Sequence, residues 1–128
     1  MKVNANDVFY IGMVSVGFSP NQANMNKTNM ARFMAHFGVH PETIVDLIQT
    51  LETTNIQAAK IPKFNVKYLL MTLNWIKSYD TYFTLASRWQ MTEKTIGKWV
   101  NTYIKAIQAL KVVKVSSVAI LVTTMMPI

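Results

Sequence analysis

A set of basic and polar side chains falls on one face of a helix that the sequence predicts over residues 93–111. At 100° of rotation per residue, one arc of this helix carries Lys94, Lys98, Asn101, Thr102 and Lys105. The opposite arc is aromatic and aliphatic, with Ile96, Trp99, Val100, Tyr103, Ile107 and Leu110. A solvated helix face usually mixes charges of both signs, because acid–base pairs one turn apart stabilise the helix. Three ammonium groups with no acid among them therefore favour a polyanionic partner.

This face carries the donors that duplex DNA requires. A lysine reaches phosphate oxygens or guanine edges, and an asparagine pairs with adenine through two hydrogen bonds. An α-helix fits the major groove, and its first turns touch the bases. The expected groove contacts are Lys94, Thr95, Lys98 and Asn101, with Thr102 on the same face and Lys105 near the backbone. The expected phosphate contacts outside this helix are Arg88, Lys63, Lys67 and Lys77. The alternative is an ordinary amphipathic helix in a basic protein.

The net charge, formally +7 from 13 basic and 6 acidic residues, is concentrated in one segment. Residues 1–61 hold four basic and four acidic side chains, whereas residues 62–114 hold nine basic and two acidic ones. Such an excess favours nucleic acid or an acidic membrane surface as the partner. About half of the 128 residues are hydrophobic, which is enough for one domain with a core and excludes wholesale disorder.

The sequence offers little for catalysis or metal binding. Its six carboxylates are too scattered for a two-metal nuclease site, which needs several that converge. His36 and His40 lie four residues apart, but Gly38 and Pro41 interrupt the helix that an H-E-x-x-H zinc site requires. The absence of Cys excludes a thiol nucleophile, a Cys-ligated zinc site and a disulfide scaffold. We therefore expect no catalytic residue, no metal and no cofactor.

Hydrophobic periodicity and capping residues predict an all-α fold, a small bundle of about five helices. The predicted helices cover residues 28–37, 41–52, 66–79, 81–88 and 93–111. We expect Thr28 or Asn29 to cap the first helix, Gly38 to end it, and Pro41 to begin the second. The helix over 66–79 is apolar around most of its circumference and should be central to the core. Its narrow polar strip is formed by Lys67, Asn74 and Ser78.

The last two predicted helices form a helix-turn-helix pattern at about residues 80–111. A short helix is followed by a tight turn at residues 89–91 and then by a long helix that Thr92 caps. Ala86 is the small residue expected where the two helices cross. The apolar positions of the pattern are occupied by Leu85, Trp89, Met91, Ile96 and Trp99. Gln90 stands where glycine is common in the turn.

A longer stretch, residues 28–111, resembles the region upstream of the catalytic core in eukaryotic PIF/Harbinger-like transposases of the DDE type. The matching pieces are residues 32–41 (RFMAHFGVHP), 69–79, 87–100 (SRWQMTEKTIGKWV) and 106–110 (AIQAL). The most specific piece is Glu93-Lys94-Thr95-Ile96 followed by Trp99-Val100. The resemblance implies binding of double-stranded transposon DNA, a nuclear location, and a homodimer or a transposase as partner. A nuclease domain follows in such proteins, but no acid of its metal-binding triad can be carried over, so we expect a non-catalytic chain.

The two ends of the chain depart from this pattern. Residues 1–27 are expected to form a loosely attached arm with one short element at 8–17, and residues 112–128 an apolar tail that ends the resembled domain in a truncated or aberrant way. The uncharged stretch 115–128 is shorter than the roughly 20 residues of a membrane-spanning helix, so a membrane partner is not favoured. Two alternatives stay open. One is a helical module whose lysines meet an acidic protein, and the other is a peripheral membrane protein that uses 8–18 or 115–128. Without the resemblance, the expected location is cytoplasmic.

Overall fold

The computed structural model describes residues 3–52 and 64–109, and this part of the chain is all-helical, with six α-helices and no strand. The helices are α1 Ala5–Ser15, α2 Lys27–Phe37, α3 Pro41–Thr50, α4 Val66–Ser78, α5 Tyr82–Trp89 and α6 Glu93–Ala109. A short 3₁₀ turn, Pro20–Gln22, joins α1 to α2. The predicted small helical bundle is confirmed. The predicted tail at 112–128 and the linker residue Lys63 lie outside the described residues.

Helix α1 is part of the core, which differs from the loosely attached arm expected for residues 1–27. Asn4 and Asp7 form a reciprocal capping box at its start, which satisfies two backbone donors. The Phe9 ring stacks on the Phe33 ring of α2 with centroids 5.4 Å apart. Gly12 allows this approach, because a Cβ at that position would lie 2.7 Å from the Phe33 ring. One buried cluster therefore includes side chains of all six helices, and the packing shows no boundary at residue 28.

Helices α2 and α3 follow one another in the chain and are joined by residues 38–40. The cap of α2 is Asn26, whose side chain accepts a 2.8 Å hydrogen bond from the Asn29 amide, so the prediction of Thr28 or Asn29 as the cap was wrong. Asn29 is instead buried, and its Nδ2 donates to the carbonyls of the preceding loop. Gly38 ends α2 in the left-handed conformation at φ 79°, and Pro41 opens α3, both as predicted.

Helix α4 runs through the centre of the bundle. Its core side chains, each about 1% exposed or less, are Leu69, Leu70, Met71, Thr72, Leu73 and Asn74. Burying an aliphatic side chain of this size stabilises a fold by about 1.5–3 kcal/mol. The start of α4 is tied to α6 by the Asn65 amide, which donates to the Tyr103 hydroxyl at 2.8 Å. Burial of that phenol raises the pKa of Tyr103, so the hydroxyl stays neutral and available as an acceptor.

Candidate nucleic-acid interface

The turn between α5 and α6 is three residues long and tightly bonded. Gln90 adopts the left-handed conformation at φ 55° and ψ 51°, the geometry that usually selects glycine at the end of a helix. The Met91 amide then donates to the Ala86 carbonyl at 3.0 Å, which closes the turn over the last residues of α5. The turn thus adopts the left-handed conformation at Gln90, where the predicted pattern commonly has glycine.

Thr92 caps α6, as the sequence predicts. Its hydroxyl oxygen accepts a hydrogen bond from the Thr95 amide at 3.2 Å. The Thr92 hydroxyl in turn donates to Oγ1 of Thr95 at 2.9 Å. A threonine cap typically contributes about 1 kcal/mol to helix stability, so the cap helps to fix the start of α6.

Helix α6 presents an apolar side to the bundle and a cationic side to solvent. The buried side chains are Ile96, Val100, Tyr103, Ala106 and Ile107. On the opposite side four side chains are exposed, and we refer to them as the basic face: Lys94, Lys98, Asn101 and Lys105. Its three lysines form no ion pair with an acidic side chain of residues 3–52 or 64–109. The charges on this face are therefore not neutralised by the described part of the fold.

The two threonines predicted for the site, Thr95 and Thr102, are partly buried at the margins of the basic face. Each hydroxyl makes a local hydrogen bond. The Thr95 hydroxyl accepts from the hydroxyl of the capping residue Thr92, and the Thr102 hydroxyl donates to the Lys98 carbonyl at 2.8 Å. These bonds leave acceptor capacity on both oxygens. Thr95 and Thr102 are thus placed next to the lysines rather than among them.

Aromatic rings border the basic face on both sides. The Lys98 ammonium lies 4.9 Å from the centroid of the Trp99 ring, and that ring stacks on Tyr68 at 4.7 Å. Contacts of this kind contribute about 0.5–1 kcal/mol at exposed sites and restrain the lysine. On the other side the Tyr82 ring of α5 lies 3.3 Å from where a Cβ of Gly97 would stand. Gly97 therefore lets α5 approach α6 closely, which explains a glycine inside this helix.

Arg88 is separated from the basic face and is engaged within the fold. Its Nη1 lies 2.8 Å from Oδ2 of Asp80 and donates to Oδ1 of Asn74 at 2.8 Å. The hydrogen bond from Arg88 is the main reason that the pKa of Asp80 is held below its ordinary value. The phosphate contact expected of Arg88 stays a prediction, and the structure gives this side chain an internal positioning role.

Asn74 is the residue that sequence reasoning misplaced. It was assigned to a polar strip of α4, but it is only 1% exposed. Its Nδ2 donates to the His36 carbonyl at 2.8 Å, and its Oδ1 accepts from Arg88 and from Trp89 Nε1, the latter at 3.1 Å. A buried amide is tolerated when its polar atoms are paired. The sequence feature that could have indicated burial of Asn74 is that it is a single amide within an otherwise apolar arc of the helix. The group formed by Asn74, Arg88, Trp89, Asp80 and the His36 carbonyl is called the Asn74 network below.

The remaining predicted phosphate contacts lie on α4. Lys67 and Lys77 are both exposed, ten residues apart on that helix. Lys67 borders a cavity of about 270 Å³ with residues of α1 and α5, including Ser15, Arg88 and Gln90. Lys67 thus lies beside the turn, whereas the basic face lies on α6.

Neither a cluster of metal-binding side chains nor a membrane-spanning helix is found in the described part of the chain. Residues 3–52 and 64–109 contain no group of three or more His, Cys, Asp or Glu side chains able to hold a metal ion. In the same segments no helix combines the length and hydropathy needed to cross a bilayer. The apolar side chains Val8, Phe9 and Met13 of the expected N-terminal element are buried in the core.

Comparison with known proteins gave no relative: no protein-family model matches the chain, and no significant match was found to a curated protein or a solved structure.

Proposed function

We propose that this protein binds double-stranded DNA through the helix-turn-helix unit of α5 and α6, with the basic face of α6 in the major groove. One observation carries the proposal. Lys94, Lys98, Asn101 and Lys105 are all exposed on the side of α6 that points away from the core, immediately after a tightly closed turn. Helix-turn-helix proteins use the same arrangement, in which the second helix enters the groove and the first crosses the backbone.

The length of the basic face matches a short stretch of duplex. Eleven residues separate Lys94 from Lys105, which corresponds to about 16 Å of helix or about five base-pair steps. In this placement Lys94, Lys98 and Asn101 lie closest to the base edges, and Lys105 reaches a phosphate. Arg88 supports the unit from inside by its bonds to Asp80 and Asn74.

The resemblance of residues 28–111 to the DNA-binding region of PIF/Harbinger-like transposases supports the same assignment. It adds that the target is transposon DNA and that the protein acts in the nucleus. Lys94, Lys98 and the positive-φ residue Gln90 lie within one matching piece of that resemblance, residues 87–100.

A salt titration of duplex binding tests the proposal. Contact with about four to six phosphates predicts that log Kd changes with log salt concentration with a slope of about 4 to 5 in magnitude. Fluorescence anisotropy with a labelled duplex of random sequence provides the measurement. Affinity that does not change with salt, or no affinity at low salt, would contradict the proposal.

Matched variants assign the binding to α6. Lys98→Gln and Asn101→Ala should weaken duplex binding while the circular dichroism spectrum is unchanged, because both side chains are exposed. Lys27→Gln removes an equally exposed lysine from α2 and serves as the control. If all three variants bind like the parent, the basic face is not the DNA-contacting surface. Binding of vesicles rich in phosphatidylserine, or of an acidic peptide, in place of duplex would assign the face to one of the other partners.

A further inference from the structure

The two most exposed large hydrophobic side chains of the described residues flank the α4–α5 junction. Tyr79 is 79% exposed and Phe83 is 73% exposed, whereas the next most exposed, Tyr10, is at 45%. Trp75 and Tyr82 lie at the same junction and are partly buried, with the Trp75 ring centroid 5.6 Å from that of Tyr79 and 6.1 Å from that of Tyr82. We refer to Trp75, Tyr79, Tyr82 and Phe83 as the aromatic corner. Nothing in the core packing requires the two outer rings.

The backbone at Tyr79 strengthens the case for a role. Tyr79 ends α4 in the left-handed conformation at φ 57° and ψ 29°. Glycine or asparagine adopts this conformation more easily than an aromatic residue. A ring that is both exposed and held in an unfavourable backbone conformation is not explained by helix termination. Such positions are concentrated at binding sites.

The aromatic corner adjoins the basic face of α6. The Tyr82 ring packs against α6 at Gly97, which lies between Lys94 and Lys98 on that helix. The aromatic corner therefore meets α6 beside two lysines of the basic face. Of the two carboxylates in this region, Asp80 is paired with Arg88, and Glu93 is exposed one turn before Gly97. Proteins that bind single strands combine these two features, since cations follow the phosphates and aromatic rings stack on the bases.

We propose that the aromatic corner stacks on unpaired bases of a DNA strand that extends from the duplex held by α6. The inference deepens and rests on the proposed duplex binding. It specifies the ligand as a duplex with a single-stranded extension. The charge of the neighbouring basic face favours nucleic acid over a second copy of this chain, which carries the same positive surface.

The test compares a blunt duplex with the same duplex carrying a four-nucleotide 3′ or 5′ overhang. Stacking of one base on an aromatic side chain increases affinity by roughly five- to a hundredfold. We expect the parent protein to bind one of the overhang probes at least about fivefold more tightly than the blunt duplex. A 2-aminopurine in that overhang should change its fluorescence on binding.

Two variants remove the rings without disturbing the fold. Tyr79→Gly suits the left-handed backbone, and Phe83→Ala truncates an exposed side chain. Each should abolish most of the overhang gain and the 2-aminopurine signal, and leave blunt-duplex affinity within about twofold of the parent, because the basic face is intact. Tyr10→Ala, on α1, is the matched control and should retain both.

Several outcomes would overturn the inference, and they differ from failure of the proposed function. Overhang probes that bind no better than the blunt duplex, or a gain that survives in both variants, reject the stacking site while duplex binding stands. Absence of any duplex binding by the parent rejects the proposed function and this inference with it. A dimer in sedimentation velocity that Phe83→Ala converts to monomer would show that the corner is an interface between copies.

Discussion

Trp89 donates a hydrogen bond from its indole Nε1 to Oδ1 of Asn74 across 3.1 Å. This bond joins the end of α5 to the middle of α4, and therefore fixes the residue from which the turn into α6 begins. The same oxygen accepts from Arg88 Nη1, whose other partner is Asp80. One buried amide thus links α4 to the last two residues of α5, directly before the turn into α6.

Replacement of Asn74 by Ala should destabilise the protein by about 2–4 kcal/mol, because it leaves the Trp89 and Arg88 donors and the His36 carbonyl without their partner. Urea unfolding followed by circular dichroism gives the free energy. Asn101→Ala is the matched control, since it removes an exposed amide and should change stability by less than about 0.5 kcal/mol. A loss for Asn74→Ala no larger than that of the control would reject the structural role of the Asn74 network.

Gln90→Gly should stabilise the protein by roughly 1 kcal/mol, because Gln90 adopts a left-handed conformation that costs L-residues about 1–2 kcal/mol. Thermal and urea unfolding measure the change. Ser87→Gly, at an exposed helical position of α5, should instead destabilise by about 0.5–1 kcal/mol. Destabilisation by both substitutions would contradict the turn geometry.

Gly97 and Tyr82 should be energetically coupled. In a Tyr82→Ala background, Gly97→Ala should stabilise α6 by about 1 kcal/mol through helix propensity. In the parent the gain should be smaller by about 0.5 kcal/mol or more, because the new Cβ would meet the Tyr82 ring at 3.3 Å. A double-mutant cycle in urea tests this. Equal gains in the two backgrounds would mean that the ring does not limit the glycine position.

His36 should make stability fall on mild acidification. Burial, together with the positive charge of Arg88, lowers the pKa of His36 from its ordinary value of 6.5. The unfolded chain therefore binds the proton more readily, so the His36 contribution is present above about pH 6.5 and is lost as pH falls through the lower folded-state pKa. The difference in unfolding free energy between the parent and His36→Gln should shrink from pH 7 downwards. A difference that is constant over this range would contradict the assignment.

Protonation of Asp80 should also lower the free energy of unfolding as pH falls, but at a lower pH than protonation of His36. Its pKa is lowered from 3.8, chiefly by the hydrogen bond from Arg88, so its contribution persists at neutral pH and is lost as pH falls below about 3.8. Asp80→Asn should remove that low-pH component and leave the His36 component in place.

Most helices could be predicted from the sequence because periodicity and caps are local signals. Pro41 and Thr92 begin helices where expected, and the predicted second-to-last helix, 81–88, corresponds to Tyr82–Trp89. The attachment of helix α1 to the core could not be predicted, because it depends on contact between Gly12 and the Phe33 and Phe37 rings. These residues lie in separate parts of the chain.

In the candidate site, too, the features set by local helical periodicity could be predicted, and those set by contacts between helices could not. The exposure of Lys94, Lys98, Asn101 and Lys105 follows from helical periodicity, and the structure agrees with it. The burial of Asn74 and the engagement of Arg88 depend on three helices meeting, which no local pattern specifies. The aromatic corner was likewise not evident, because Tyr79 belongs to the wide apolar arc predicted for the helix over 66–79.

The most direct test of duplex binding by the basic face is the salt dependence of a single variant against its control. Lys105 is the proposed phosphate contact of the basic face, so Lys105→Gln should reduce the magnitude of the log–log salt slope by about 1 relative to the parent. Lys27→Gln, with an exposed lysine on α2, should leave the slope unchanged. Identical slopes for the parent and both variants would contradict the account, because Lys105 would then neutralise no phosphate.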